Sequence, residues 1–360
     1  MPWSVSEGAA MLHHMLPWSA ELAGRIDEHV LRSEALRGNA LGDPHERPLW
    51  VQVPAGYDDD PGRRYPVVVV IQGYTGMLPM WRNRAPFRRP FPELADEVLA
   101  DPATPSGIVV YVDAWTSYGG SQFLDSPATG RYHSYLCDEV VPWVDQHYRT
   151  LAIRDHRAIS GKSSGGYGAM VTAMLRPDLF GALATHAGDG LFEVCYPAEF
   201  PRVARLLRDS YDGSYERFLA DFRSRVAMTK DGDDHLIETY GYAAAYSADD
   251  DGTVQLPFDL ATGRLRPEVW QRWLDRDPVR MAEQPSYAEA LRSMRAVWVD
   301  AGKRDEYHLD LAATAFADAV LASGLPPERL HFELFDAGHG AIEYRYPLSL
   351  RWLLERLAPA

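Results

Sequence analysis

Lysine is almost missing from this chain: of 360 residues only Lys162, Lys230 and Lys303 carry an ammonium, and arginine supplies the remaining basic charge. We read that as compositional bias without functional weight. Basic residues of either kind are outnumbered, 36 Lys and Arg against 51 Asp and Glu, for a formal net charge of -15. Such a surface repels polyanions, which excludes nucleic acid and anionic membrane surfaces as partners and weighs against strongly anionic substrates. Cysteine is scarce too. Cys137 and Cys195 have no metal-ligand spacing and cannot make a disulfide scaffold. They read as reduced and packed, with a bridge between the two left open. No apolar run approaches the ~18 residues that cross a bilayer. The start lacks a basic segment followed by an apolar one, so no signal peptide is expected and the expected compartment is the cytoplasm. Neither the His13-His14 pair nor Asp249-Asp250-Asp251-Gly252 has the partners or alternating spacing of a metal loop, and no cofactor or metal is implied. Repeats and low-complexity linkers are absent as well, so residues 1–360 are expected to form one domain.

What is present centres on residues 159–169, where a short strand, a sharp turn and the start of a helix put Ser163 at the apex. Gly161-x-Ser163-x-Gly165 is the pattern of a nucleophile elbow. Small residues two before and two after the serine let the backbone bend without side-chain clashes. The bend lifts the hydroxyl clear of the sheet, and the first amides of the helix face any oxyanion formed there. The pattern alone also describes a Gly/Ser surface turn. Here a strand at 157–159 precedes it, and Tyr167, Met170, Val171 and Met174 follow at helical spacing.

Along the chain, residues 11–16 suit a short outer helix. Residues 28–36 and 48–54 suit two strands joined by a turn over 38–47, an antiparallel hairpin at a sheet edge. Continuous β-branched or apolar runs at 66–71, 108–112, 296–299 and 330–335 read as strands buried on both faces of a parallel sheet. A further strand is expected near 183–186. Helical spacing separates these runs, with residues 136–144 interrupted at Pro142, then 311–321 and 348–357. Strand and helix alternate, so the fold class is α/β with a mostly parallel central sheet. Residues 190–290 break the alternation. They are too long for a structureless loop, and helical spacing at 203–207, 215–222 and 269–274 marks a mainly helical cap inserted over the sheet's C-terminal edge.

A serine hydroxyl needs a base to take its proton, and neutral imidazole is the usual one. On this architecture the partners follow in the order serine, acid, histidine, each in a loop just after a strand. Asp305 fits the acid, with Asp300 and Glu306 as rivals and a helix-capping role as its structural alternative. His339 fits the base; it lies between glycines after the last strand. His133, His186, His308 and His331 are the alternatives, of which His331 reads as structural and His186, at a strand end, as a lining residue. The amide of Ser164 is one oxyanion donor, and the amide of Tyr74, in the loop 72–76, is the second candidate. Trp115 and Tyr118 stand, with Tyr74, where an acyl or aromatic pocket would be walled, although aromatic residues there serve equally as core.

The stretches Ile71-Gln72-Gly73-Tyr74, Gly161-Lys162-Ser163-Ser164-Gly165-Gly166-Tyr167-Gly168, Gly302-Lys303-Arg304-Asp305-Glu306-Tyr307 and Gly338-His339 resemble the esterase D family of α/β-hydrolases. Asp113-Ala114-Trp115, Tyr118-Gly119-Gly120-Ser121 and Gly130-Arg131-Tyr132 extend the likeness over about 28–190 and 295–357. The resemblance implies Ser163 as nucleophile, Asp305 as acid, His339 as base, and the amides of Tyr74 and Ser164 as oxyanion donors. Gln72 departs from the histidine frequent in that family, and the 190–290 segment is longer than in many members. The expected function is a serine carboxylesterase acting through an acyl-enzyme on a small-molecule ester, as a monomer or homodimer. The alternatives are an acyltransferase using the same intermediate and a non-catalytic ligand-binding scaffold.

Overall fold

The computed structural model describes residues 20–359; the helix expected at 11–16 and the His13-His14 pair lie outside them. Within the described residues eight strands form one sheet: β1 (Arg25–Arg32), β2 (Glu46–Val53), β3 (Val67–Ile71), β4 (Ile108–Val112), β5 (Arg157–Lys162), β6 (Ala182–His186), β7 (Ala296–Gly302) and β8 (Leu330–Phe335). Their order is β1-β2-β4-β3-β5-β6-β7-β8. β1 and β2 form the antiparallel hairpin at one edge, β2 pairs antiparallel with β4, and every later pairing is parallel.

The β-branched runs form strands here because both faces are covered. Val67, Val69, Ile71, Ile108, Val110 and Val112 point into one core layer, while Val68, Val70, Val109 and Tyr111 point into the other. That is the period of two expected of a strand. The second layer is closed by α1 (Phe91–Ala100) and by α11 (Arg345–Leu357), whose Leu350, Leu353, Leu354 and Leu357 repeat at helical spacing. The first layer is closed by α2 (Val141–His147), α3 (Ser164–Leu175) and α10 (Leu309–Ala322).

Between β6 and β7 run α4 (Phe200–Tyr211), α5 (Tyr215–Ser224), α6 (Asp233–Tyr246), α7 (Pro267–Leu274), α8 (Pro278–Ala282) and α9 (Pro285–Arg292). The three helices expected in this segment fall on α4, α5 and α7; α6 lacks a clear apolar stripe because most of its faces are covered.

Two departures from expectation have local causes. β1 ends at Arg32 and not Leu36, because the Ser33 hydroxyl accepts from the Leu36 amide at 3.0 Å and folds that segment into a turn. Pro142 does not break its helix. A π-helical stretch, Tyr135–Val140, precedes α2, and the wider turn accommodates a residue with no amide hydrogen. Cys137 and Cys195 are buried and unpaired. No helix among the described residues is long and apolar enough to cross a membrane.

Candidate active site

β5 turns directly into α3, and the residue at the turn is Ser163, with φ 57° and ψ -128°. A serine in that region carries about 1–3 kcal/mol of backbone strain, held here by close backbone packing. A Cβ on Gly161 would lie 2.3 Å from the Gly165 carbonyl, and one on Gly165 would lie 2.6 Å from the Ile71 carbonyl oxygen. Only glycine fits at either place. The Ser163 amide donates to the His186 carbonyl at 3.0 Å, which ties the elbow to β6.

Residues 163, 305 and 339 meet above the C-terminal ends of β5, β7 and β8. The His339 Nε2 lies 3.1 Å from the Ser163 Oγ, and its Nδ1 lies 2.8 Å from the Asp305 Oδ2. The Asp305 side chain is wholly buried, and its other oxygen accepts from the Tyr307 amide at 2.9 Å. This fixes the carboxylate, and the carboxylate in turn fixes the imidazole with Nδ1 protonated and Nε2 free to accept. The rival acids have other work. The Glu306 carboxylate accepts the His339 amide at 2.7 Å, a bond that also holds its carboxyl below the ordinary value. Asp300 is buried between the Arg345 Nε at 2.8 Å, the Trp298 Nε1 at 2.8 Å and His186.

The loop 72–76 abuts the nucleophile: a Cβ on Gly73 would sit 3.5 Å from the Ser163 Cβ. Among the described residues the amides of Tyr74 and Ser164 have no acceptor, which leaves two donors beside the serine. The buried Tyr74 hydroxyl donates to the Ile237 carbonyl at 2.7 Å and also meets the Tyr118 carbonyl, so this loop is fastened to α6.

Three expected lining residues are corrected. His186 is completely buried on the α11 side of the sheet, its Nδ1 2.6 Å from Asp300 and its Nε2 2.9 Å from the Ser349 hydroxyl. With both ring nitrogens engaged it is structural. Trp115 and Tyr118 also lie off the cavity wall. Trp115 starts a small hairpin and accepts from Arg47 through its carbonyl at 2.7 Å; the Tyr118 ring packs edge-on against Tyr240 at 5.0 Å.

Ser163, His339, Tyr74 and Lys162 border a cavity of about 330 Å³. Its other wall comes largely from the segment between β6 and β7, through Tyr196, Phe200, Glu238, Tyr242 and Trp273. Two acids here were not anticipated. Asp189 follows β6, and its Oδ2 accepts from the Ser164 hydroxyl, the Gln122 amide and the Tyr196 hydroxyl, each at 3.2 Å. Burial pushes its carboxyl up. Burial, then the fields of Asp189, Asp234 and Glu199, push the Glu238 carboxyl up to about 8. The Gly188-Asp189-Gly190 turn after a strand was the available signal for the first; nothing in sequence marks the second. Burial likewise lowers Lys162.

The fold recurs in known proteins. A ferulic acid esterase structure matches with a TM-score of 0.59 at 18% identity, over 94% of this chain and 100% of that one. An S-formylglutathione hydrolase from Agrobacterium tumefaciens matches with a TM-score of 0.54 at 18% identity, over 94% and 98%. These likenesses establish the α/β-hydrolase fold. An endo-1,4-beta-xylanase/feruloyl esterase of Xylanibacter ruminicola is 26% identical over 118 residues, which is 33% of this chain and 16% of that protein. The family model described as Putative esterase matches residues 43–345. Since that span takes in every strand from β2 to β8, the elbow and the cavity walls, the chain belongs to the Putative esterase family.

Proposed function

We propose that this protein is a serine carboxylesterase that works on a small-molecule ester through an acyl-enzyme. The observation that carries the proposal is the unbroken path from the buried Asp305 carboxylate through His339 to the Ser163 hydroxyl, with contacts of 2.8 and 3.1 Å. In this reading the Ser163 Oγ attacks the ester carbonyl while the His339 Nε2 takes its proton, and Asp305 stabilises the imidazolium. The oxygen that gains charge lies against the amides of Tyr74 and Ser164. Collapse of the tetrahedral intermediate expels the alcohol, which leaves with the proton from Nε2. Water, deprotonated by the same nitrogen, then attacks the Ser163 ester and releases the acid.

Residues 190–290 act as a cap: their rings close one side of the cavity and restrict water around the acyl-enzyme. The test is Ser163→Ala assayed on p-nitrophenyl butyrate, with a fluorophosphonate probe as a second readout. Hydrolysis is expected to fall by about 10⁴ or more and labelling to vanish. Full hydrolysis by the alanine variant would end this reading.

A further inference from the structure

The two walls of the cavity settle their charges differently. Toward the loop before α1 each cation has a carboxylate: Arg88 pairs with Glu343, Arg89 with Glu97 at 2.7 Å, and Lys162 stands above all in the field of Glu343. The opposite wall carries Asp189, Glu199 and Glu238; His235 lies 2.7 Å from Glu199, and Asp189 stands in the field of His339. Asp189 has its three donors. Glu238 has none among the described residues, and every charge that acts on it belongs to another acid.

Aromatic side chains line the cavity together with this carboxyl. Its field reaches the hydroxyls of Tyr74, Tyr242 and Tyr307, and the Tyr307 ring stands edge-on to His339 at 4.9 Å. Tyr196 continues the wall, 5.1 Å from Tyr242 and 5.2 Å from Trp273 between ring centres. The lobe therefore combines a half-buried carboxyl that has no hydrogen-bond partner among the described residues with aromatic side chains, and it opens on the same cavity as Ser163. A carboxylate on a cavity wall with no cation beside it is costly to ionise, and ring faces attract cations. A single ligand chemistry answers both.

We propose that this lobe receives a cationic nitrogen of the substrate, so that the preferred ester carries an ammonium group held between Glu238 and the tyrosines. The proposal rests on the esterase reading above and narrows its substrate class. A quaternary ammonium suits the rings; a protonated amine suits the carboxylate as well. The competing role, a protonated Glu238 that donates to a neutral hydroxyl, gives no preference for charge.

The test compares choline butyrate with its uncharged carbon isostere, 3,3-dimethylbutyl butyrate, at about pH 8.5, on the alkaline side of the value of about 8 to which the Glu238 carboxyl is raised. The wild type should favour the choline ester by roughly tenfold in kcat/KM. Glu238→Gln should bring that ratio to within about twofold of unity. Ser163→Ala should abolish cleavage of both; if it does not, the esterase reading fails independently of this one. Equal use of the two esters by the wild type, or a preference that survives Glu238→Gln, overturns the proposal. Should the glutamine variant fail to fold, wild-type cleavage of p-nitrophenyl butyrate is challenged with tetramethylammonium and with tert-butanol. Inhibition by the cation alone supports the proposal, and equal inhibition by both overturns it.

Discussion

Replacing Glu238 by glutamine removes one titratable proton and almost no volume, and the structure sets both the sign and the size of the outcome. The carboxyl is raised from its ordinary value of 4.5 to about 8, by burial first and neighbouring acids second. A carboxyl that ionises less readily in the folded state favours folding for as long as it keeps its proton. That contribution is complete below 4.5 and is lost as pH rises through about 8. Each pH unit across the window removes about 1.4 kcal/mol, for a ceiling of roughly 5 kcal/mol. Relaxation and water at a group on a cavity wall bring the expectation to about 2–3 kcal/mol. Glutamine has no proton to lose. The assay is urea unfolding of both proteins at intervals from about pH 5 to about pH 9. The wild type should match the variant at the acid end and fall behind by about 2–3 kcal/mol at the alkaline end. Repulsion from the net charge of -15 acts on both proteins and cancels in the difference. A difference that stays flat with pH would refute the reasoning, because Glu238 would then ionise as easily folded as unfolded.

Asp305→Asn should leave the fold intact and lower kcat by about 10⁴, measured on p-nitrophenyl butyrate; a loss below tenfold would remove Asp305 from the mechanism. Gly165→Ala puts a methyl 2.6 Å from the Ile71 carbonyl oxygen and 2.8 Å from that of Gln72. It should lower the melting temperature and abolish fluorophosphonate labelling together, and a stable, fully labelled protein would contradict the packing described. Asp300→Asn strips a buried carboxylate from Arg345 and His186, a change worth about 3–5 kcal/mol of stability. The folded fraction should retain wild-type kcat, and loss of kcat without loss of stability would restore Asp300 as a candidate acid.

The sheet was legible because parallel strands lie between two apolar layers: at 67–71 and 108–112 the one polar side-chain group is the Tyr111 hydroxyl, which donates to Gln52. The edge hairpin was legible in kind but not in extent. Leu36 is as apolar as a strand residue, yet the Ser33 hydroxyl three residues earlier claims its amide for a turn. Residues 163, 305 and 339 were marked by their neighbours. Each sits in a turn after a strand whose backbone must pass close to another, and glycine is what permits the approach. A Cβ on Gly302 would lie 2.5 Å from the Ala337 carbonyl oxygen, and one on Gly338 would lie 2.7 Å from the Glu306 carboxylate. Close packing of main chain leaves a trace in sequence because it excludes side chains.

The pocket walls leave no such trace. Trp115 and Tyr118 precede the elbow in a stretch that resembles the family, yet they fasten the loop around Tyr74 and Arg47, while Phe200, Tyr242 and Trp273 reach the cavity from α4, α6 and α7. Asp189 acquires its environment from Gln122 and Tyr196, which are 67 and 7 residues away, and Glu238 acquires its own from burial first, then from Asp189 and Glu199 on other segments and from Asp234 one turn before it on α6. An aromatic or acidic residue in a helix looks alike in sequence whether it faces solvent, core or substrate. The division has a chemical consequence. The groups that would make and break the bond lie in tight turns after strands, and those proposed here to choose the ester come largely from the segment between β6 and β7. A search for the natural substrate is therefore better guided by the charge of Glu238 and the rings around it than by the acids and alcohols that relatives recognise.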